Sequence, residues 1–310
     1  MTAKFFPGAL IVPTLNPGSV WEQWLEAYRE QTCLPEMGCL VIDSGSTDDT
    51  VRLARAAGCK IYEINKVDFN HGGTRQFGVN FLNNLEFVVF CTQDALFSHR
   101  ESIEHLMHCF CDEKVGAAYG RQLPHKDSGL IGAHARLFNY PASSCVKSKA
   151  DINKFGIKTA FISNSFAAYR TSALQQVGGF PSNTIMNEDT YVAAKMILSD
   201  WKVAYCAEAC VFHSHDYGFF EDFKRYFDIG VFHSREPWLQ DQFGGAEGEG
   251  ARFVSSELKM LSRQAPWLIP SACIRTFLKF AGYKLGRSEK KLSPAVKKKL
   301  SMHHRYWLQK

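Results

Sequence analysis

The sequence predicts an α/β fold in which helices flank a doubly wound, mainly parallel sheet. Short apolar runs bounded by turn residues alternate with amphipathic segments over about the first hundred residues, and this alternation is typical of buried parallel strands joined by helices. Between the first two runs, Val20, Trp24, Leu25 and Tyr28 recur at helical spacing. Short connections between such elements favour a right-handed, doubly wound arrangement.

The predicted elements follow in a regular order and become less regular after residue 100. In the first part, strands are predicted over 9–16, 39–43, 60–64 and 86–95, and helices over 19–31, from 48 or 49 to 57, and within 69–82. In the second part, we expect a strand and a short helix over 161–174, a turn, loop and helix over 177–198, a strand within 201–217, and a helix from Phe219 to Ile229.

Charge is distributed unevenly along the chain. Residues 251–310 contain 14 Lys and Arg against 2 Asp and Glu, a net charge of +12, whereas residues 1–250 carry −7. The stretch GGAEGEG before them has the composition of a flexible link. We therefore predict an α/β domain over 1–240, a Gly-rich linker over 241–250 and a basic helical appendage over 251–310. A basic region of this kind favours an anionic surface as its partner.

Composition excludes several protein classes. With 45% hydrophobic and 22% charged residues in 310, the chain can bury a full core, and no apolar run reaches the ~20 residues that span a bilayer. The ten cysteines are scattered without a CxxC pair, so reduced thiols in the cytoplasm are the simpler interpretation. The apolar run 5–15 contains Pro7 and Pro13 and is predicted to be a first strand instead of a signal peptide.

Two carboxylates are predicted at the ends of buried strands. Asp43 follows the apolar run 40–42 and precedes the turn Ser-Gly-Ser. Because ligands of open α/β sheets bind beyond the carboxyl ends of strands, Asp43 is expected to contact a nucleotide base or ribose. Asp94, next to Gln93, ends a later strand. A carboxylate there suits Mg²⁺ or Mn²⁺ shared with a diphosphate, and the competing interpretation is a helix cap.

Three further motifs carry candidate site residues. Glu188 and Asp189 open a helix, where a carboxylate can act as general base, or can merely favour the helix dipole. His213 and His215 follow a strand on one face and suit a metal or phosphate. The sequence NHGGTR at 70–75 places glycines and an arginine before a helix, which suits a phosphate or base. It is neither GxGxxG nor GxxxxGK.

The motifs LIVPTLN, VIDSGSTDDT, FNHGGTR, TQDA and NED, in this order, resemble glycosyltransferase family 2. FNHGGTR and TQDA, with the later HSHDY, FKRYFDIG and PW, resemble its bacterial rhamnosyltransferase branch. The resemblance covers about residues 5–240. It implies a GT-A fold with 1–240 as the catalytic domain, a nucleotide-diphosphate-sugar donor, a divalent metal, and inversion at the anomeric carbon.

The resemblance also implies roles for individual residues. Asp94 matches the last acid of the family's DxD metal motif, Thr92 replaces the first acid, and His213 or His215 would complete the metal site. Asp189 matches the family's base, with Glu188 as its neighbour. The implied donor-binding residues are Pro13, Thr14, Asp43, His71, Arg75 and Gln93.

The predicted function is transfer of a sugar, with dTDP-rhamnose favoured as donor, to a glycan or lipid-linked acceptor in O-antigen or other cell-surface polysaccharide synthesis. Two alternatives stay open. A sugar-nucleotide pyrophosphorylase would carry a Gly-rich, Arg-containing loop after its first strand, where this chain reads PTLNPGS. A basic nucleic-acid-binding protein is disfavoured by the acidic body and the missing aromatic–basic stripes, so no nucleic-acid partner is expected.

The basic C-terminal region is predicted to contact a membrane. It interleaves Trp267, Phe277 and Phe280 with Arg275 and Lys279, a pattern that suits a helix lying in a membrane interface. The protein would then be peripheral on the inner face of the cytoplasmic membrane. The alternative is a helical appendage packed on the α/β domain. The sequence leaves the oligomeric state open.

Overall fold

A computed structural model describes residues 4–245 and 248–308. The strands are β1 (Lys4–Phe6), β2 (Gly8–Thr14), β3 (Cys33–Pro35), β4 (Cys39–Asp43), β5 (Lys60–Glu63), β6 (Phe87–Cys91), β7 (Leu96–Phe97), β8 (Val115–Leu123), β9 (Cys145–Lys147), β10 (Phe166–Arg170) and β11 (Lys202–Phe212). The helices of the first part are α1 (Val20–Arg29), α2 (Thr50–Ala56), α3 (His71–Leu82), α4 (Ser102–His108), α5 (Leu130–Asn139), α6 (Ile152–Phe155) and α7 (Thr171–Gln176). Those of the second part are α8 (Glu188–Leu198), α9 (Phe219–Arg235), α10 (Pro237–Phe243), α11 (Glu249–Gln264), α12 (Ile269–Arg287) and α13 (Pro294–Leu300).

The central sheet is mixed and parallel-rich. Its spatial order is β5-β4-β2-β6-β10-β8-β11-β7, with β9 also pairing with β11. Strands β5, β4, β2 and β6 are parallel, β10 runs antiparallel between β6 and β8, and β11 is parallel to β8. The carboxyl ends of β2, β4, β6, β8 and β11 therefore meet at one edge, together with the start of β10.

The two faces of the sheet bury separate cores. Along β2, Leu10 and Val12 face a layer that holds Trp21 and Trp24, whereas Ile11 faces the opposite layer. Successive strand side chains point to opposite faces, and both faces are covered by helices, so the strands read as continuous apolar runs. The predicted α/β fold class is confirmed.

Strand β8 is the main element that the sequence pattern did not predict. It contains Gly116, Ala117, Ala118 and Gly120, residues with low intrinsic strand preference. The structure explains Gly120, because a Cβ there would lie 2.3 Å from the Ala209 carbonyl oxygen. The close approach of its neighbours requires small residues, so tertiary packing outweighs local preference here.

The C-terminal helices pack closely on the rest of the chain. Helix α12 approaches α9 through glycines: a Cβ on Gly286 would lie 2.0 Å from the Phe227 carbonyl oxygen, and one on Gly230 would lie 2.3 Å from the Tyr283 carbonyl oxygen. Helices α10 and α11 both enter the predicted 241–250 linker, whose residues 246–247 lie outside the described ranges. The domain division itself stays a prediction.

Helix α12 is oriented differently from the sequence-based expectation. Arg275 and Lys279 do not join an exposed basic side, because both contact the buried Asp222 carboxylate of α9. The exposed side instead carries Phe277 and Phe280, which are 68% and 60% exposed. No helix within the described ranges is long and apolar enough to cross a membrane.

Candidate active site

A cavity of about 620 Å³ opens at the carboxyl edge of the sheet. Four of the predicted site residues line it, namely Asp94, Asp189, His213 and His215. Its outer wall comes from helices α5, α9 and α12. Strand ends and the start of α8 thus place the metal-site and base candidates around one space.

Asp94, His213 and His215 form a compact group of possible metal ligands. The Asp94 Oδ2 atom lies 3.5 Å from His213 Nε2 and 3.7 Å from His215 Nε2, and the three ligand atoms all lie within 4.8 Å of one another. Asp94 sits in the turn after β6, and the histidines follow β11. One carboxylate and two imidazoles so arranged fit a divalent metal ion.

The protonation states of this group suit metal binding. Burial would raise the pKa of the Asp94 carboxyl, but the contact with His213 and its charge hold that pKa well below the ordinary value. Burial lowers the pKa of His213, and burial together with the His213 charge lowers the pKa of His215 to about 4. Near pH 7 the site therefore offers an anionic oxygen and neutral imidazole nitrogens, the forms that coordinate a metal.

Thr92 occupies the position of the missing first acid and lines the same cavity. Within the described part of the chain, its buried hydroxyl has no hydrogen-bond partner. A buried polar atom without a partner is costly, and the nearby Asp94 carboxylate, whose pKa the Thr92 side chain helps to lower, is the neighbour that this hydroxyl can reach. It cannot replace the charge of a carboxylate.

Asp189 lies at the start of α8, where Asn187 adopts a left-handed conformation with φ of 59°. Its Oδ2 atom accepts a hydrogen bond from the Asn164 backbone N–H at 3.1 Å, and its Oδ1 atom accepts one from the Thr190 N–H at 2.7 Å. Burial and the neighbouring Glu188 charge raise the pKa of the Asp189 carboxyl to about 7. Such a pKa suits a general base near neutral pH.

Glu188 points away from the cavity into a buried network. Arg75 Nη1 donates to Glu188 Oε1 at 2.8 Å, and the Asn164 side-chain amide donates to the same oxygen at 3.1 Å. Only 5% of the Arg75 side chain and 7% of the Glu188 side chain are exposed. The structure thus directs the Arg75 charge at Glu188, beside Asp189, and not at the open cavity.

The predicted nucleoside-binding residues Thr14, Asp43 and Gln93 lie at the carboxyl edge of the sheet, outside the cavity lining. Their polar groups bond mainly to one another and to neighbouring backbone, and this set is called the strand rim. Asp43 is 1% exposed, and its carboxylate accepts hydrogen bonds from the Thr14 hydroxyl at 2.9 Å, from the Gly45 and Ser46 N–H groups, and from the Ser46 hydroxyl. The Gln93 amide bridges the N–H and carbonyl of Leu15. These side chains fix the end of β2, where Pro13 is partly exposed, and the loop that follows it.

His71 begins α3 and contacts the C-terminal end of the chain. Its ring lies 5.1 Å from the His303 ring and 5.0 Å from the Phe69 ring. Asp228 of α9 holds this end in place, because its Oδ2 atom accepts hydrogen bonds from the Met302 and His303 N–H groups. The glycines and the arginine that were expected before this helix lie inside it, because Asn70 caps the helix and α3 already begins at His71. His71 therefore joins the start of α3 to the C-terminal segment.

The sequence patterns missed several cationic residues of the cavity wall. Arg136, Arg225, Arg275 and Lys279 all line the cavity. Within residues 4–245 and 248–308, Arg225 forms neither an ion pair nor a side-chain hydrogen bond, and its guanidinium lies 5.6 Å from the Tyr217 ring. The signal that points to Arg225 is one arginine inside the amphipathic run FKRYF, but periodicity alone also fits an ordinary surface arginine.

Residues 9–178, more than half of the chain, match Glycosyl transferase family 2. The chain belongs to this family. It is 51% identical over 299 residues to the O-antigen chain rhamnosyltransferase RfbN of Salmonella typhimurium, a match covering 96% of this chain and 95% of the relative. It is 48% identical to the O-antigen chain rhamnosyltransferase WbaN of Salmonella anatum, with the same coverage. This family member is a glycosyltransferase.

Solved structures confirm the GT-A fold. The mannosyltransferase PcManGT of Pyrobaculum calidifontis, in complex with GDP-Man and Mn²⁺, is similar with a TM-score of 0.55 at 18% identity, covering 99% of this chain and 86% of that one. TarS 1–349 of S. aureus is similar with a TM-score of 0.52 at 13% identity, covering 93% and 91%. At these identities the likeness concerns the fold alone.

Proposed function

We propose that this glycosyltransferase moves a rhamnosyl group, with inversion, from a nucleotide-diphosphate sugar to a glycan acceptor in O-antigen synthesis. The two O-antigen rhamnosyltransferases, alike over 96% of the chain, support the sugar and the biological role. The observation that carries the chemistry is one cavity lined both by Asp189 and by the Asp94, His213 and His215 group.

Asp189 is the proposed general base. An inverting transfer needs one group that takes the proton from the attacking acceptor hydroxyl. The Asp189 carboxylate lines the cavity, and two backbone N–H groups hold it in place. Glu188 and Arg75 are positioning residues in this proposal, since their buried ion pair lies directly behind Asp189.

The Asp94, His213 and His215 group would hold a divalent metal, which would offset the charge of the leaving diphosphate. Two imidazoles in the donor set favour Mn²⁺ over Mg²⁺, because Mg²⁺ prefers oxygen ligands in near-ideal octahedral geometry. Arg225, which forms no ion pair among the described residues, lines the same cavity and would add positive charge toward the leaving diphosphate.

The strand rim is the proposed nucleoside site. The polar groups of Asp43, Thr14 and Gln93 are mostly occupied by hydrogen bonds to one another and to the backbone of Leu15 and Ser46. They therefore act by fixing backbone groups around Pro13, and the base of the donor, with dTDP-rhamnose favoured, would meet this preformed surface. His71, at the start of α3, is the further residue proposed to contact the donor.

A donor panel tests the proposed reaction. The full-length protein is incubated with dTDP-rhamnose, UDP-glucose, UDP-galactose or GDP-mannose and a glycan acceptor, with and without Mn²⁺, and product is identified by mass spectrometry. We expect transfer from dTDP-rhamnose with an inverted linkage, and loss of transfer in EDTA. Transfer only from another donor, or release of pyrophosphate from dTTP and a sugar phosphate, would contradict the proposal.

The exposed side of α12 supports a lipid-linked acceptor reached from the inner membrane surface. Trp267, Ile274, Phe277 and Phe280 are between 51% and 74% exposed, and the exposed Lys284 follows them. Three of these residues, Ile274, Phe277 and Phe280, recur at a spacing of three along one helix face. Aromatic side chains and a basic rim are typical of segments that enter the interface of an anionic bilayer.

Vesicle sedimentation tests the membrane contact. The variant Phe277→Ser/Phe280→Ser should bind phosphatidylglycerol-containing vesicles at least about tenfold more weakly than wild type, since burying an aromatic side chain contributes ~1.5–3 kcal/mol. The matched control Phe5→Ser removes a phenylalanine that is 63% exposed on β1, far along the chain from α12, and should bind like wild type. Equal binding of both variants would contradict the contact.

A further inference from the structure

We propose that Gln122 sets the ring tautomer of His213, so that the Nε2 lone pair is directed at Asp94 and His215, and that Arg136 fixes Gln122 for this task. The inference goes beyond the proposed metal site, on which its functional consequence rests. It assigns a positioning role to two residues on β8 and α5.

The first step is the orientation of the Gln122 amide. Gln122 is 1% exposed at the end of β8, and its Oε1 atom lies 2.7 Å from Arg136 Nη1. A guanidinium only donates hydrogen bonds, so the amide atom that faces it must be the oxygen. The amide nitrogen then donates to the Ser163 hydroxyl at 2.9 Å, which is consistent with the same orientation.

The second step is the proton on His213. Its Nδ1 atom lies 2.9 Å from the same Gln122 oxygen. Because that oxygen can only accept, Nδ1 must carry the hydrogen. In a neutral imidazole the other nitrogen is then an acceptor, so Nε2 carries a lone pair.

The third step is where this lone pair points. Nε2 is the His213 atom that lies 3.5 Å from Asp94 Oδ2 and 3.1 Å from His215 Nε2. With the opposite tautomer an N–H group would occupy that direction and exclude a cation. Partners that accept a hydrogen bond from the outer N–H group commonly set the orientation and basicity of metal-binding histidines. Gln122, held by Arg136, supplies such a partner to His213.

The test compares two substitutions at residue 122. Gln122→Met removes the acceptor and keeps the volume, whereas Gln122→Glu keeps an acceptor at Nδ1. Ring-¹⁵N NMR without metal should show a protonated Nδ1 on His213 in wild type and in Gln122→Glu, and a mixture of tautomers in Gln122→Met. Loss of such a partner typically costs ~10–100-fold in metal affinity, so the Mn²⁺ Kd measured by calorimetry should rise by about that factor only in Gln122→Met.

The control Ser163→Ala removes the partner of the amide nitrogen and leaves the acceptor oxygen bonded to Arg136. Its His213 tautomer should match wild type. A wild-type His213 protonated at Nε2, or equal loss of Mn²⁺ affinity in Gln122→Met and Gln122→Glu, would overturn the inference. If wild type binds no Mn²⁺, the proposed metal role fails, while the ring tautomer, measured without metal, still decides the inference.

Discussion

Two regions at the carboxyl edge of the sheet, the strand rim and the helical wall of the cavity, differ in how their polar groups are used. On the strand rim, Asp43 is 1% exposed and accepts hydrogen bonds from Thr14, Gly45 and Ser46. On the helical wall formed by α5, α8, α9 and α12, Arg225 faces the cavity without an ion pair among the described residues. The rim thus fixes the shape of the proposed nucleoside site, and the wall offers charge and the Asp189 carboxylate to a ligand.

This difference predicts different responses to substitution. Removing a rim residue loosens a loop, so donor affinity and stability should change together. Removing a wall residue takes charge or a proton acceptor away from the reacting groups, so turnover should change while the fold persists. The predictions below test this contrast, beginning with the largest expected effect.

The largest effect is expected for Asp189→Asn. The amide keeps the shape of the side chain but cannot take a proton, so kcat should fall by about 10²–10⁴-fold, the scale of general base catalysis. Donor affinity, measured by calorimetry with dTDP-rhamnose, should stay near wild type. The control Asp127→Asn makes the same chemical change at an exposed residue outside the cavity lining. Near-native turnover of Asp189→Asn would remove this residue from the mechanism.

A smaller effect is expected for Arg225→Met. Charge-assisted hydrogen bonds contribute ~1.5–3 kcal/mol, so loss of a cation that contacts the diphosphate should reduce kcat/KM by about 10–100-fold. The melting temperature should change little, because Arg225 forms no ion pair within residues 4–245 and 248–308. Arg52→Met is a suitable control, since Arg52 of α2 pairs with the exposed Asp49 just before that helix. Unchanged kinetics would show that Arg225 does not contact the substrates.

The same contrast explains how far the sequence predicts this molecule. Rim residues lie within short motifs such as VIDSGS, in which strand, turn and carboxylate follow one another, so local pattern places Asp43 at a sheet edge. The strand predicted over 86–95 ends at Cys91, so Asp94 lies in the turn after β6 and not in the strand. The prediction that Asp94 lies at the sheet edge is unaffected by this shorter strand. Near neighbours in sequence are easily read as near neighbours in space.

The wall is assembled from segments far apart in the chain, and its contacts follow no local rule. Gln122 lies on β8, a strand that the sequence pattern does not predict because of its glycines and alanines. Arg136 of the next helix, α5, donates a hydrogen bond to Gln122. Arg275 reaches the cavity only because glycines let α12 approach α9 closely. Arg75 shows the same limit, since its pairing with Glu188 spans 113 residues.

On the strand rim, Asp43→Asn should affect binding more than turnover. An asparagine offers one acceptor oxygen where the carboxylate accepts from the Gly45 N–H and the Ser46 N–H on one oxygen and from the Thr14 hydroxyl on the other. A buried donor left unpaired costs ~1–3 kcal/mol, so the free energy of unfolding should fall and KM for the donor should rise, with kcat nearly unchanged. A fall in kcat with wild-type stability would erase the contrast between rim and wall.

The most modest change concerns the pH profile and the ion pair behind Asp189. Burial first, and then the Glu188 charge, raise the pKa of Asp189 to about 7, and the base must be deprotonated to act. Wild-type kcat should therefore fall as pH drops below about 7, when the carboxylate gains a proton. In Glu188→Gln the nearby negative charge is lost and the Arg75 charge is no longer neutralised, so both changes lower the pKa of Asp189.

The acid limb of the kcat profile in Glu188→Gln should accordingly move to lower pH. The plateau can also be reduced, because Arg75 and Asn164 then donate to a neutral oxygen instead of a carboxylate. Glutamine keeps an oxygen for both donors, so the variant should remain folded at assay temperature, which circular dichroism checks. A merely structural role of Glu188 would lower the plateau without moving the limb. A limb that shifts to higher pH would contradict Asp189 as the titrating base, because removing a negative neighbour cannot raise the pKa of a carboxyl by charge.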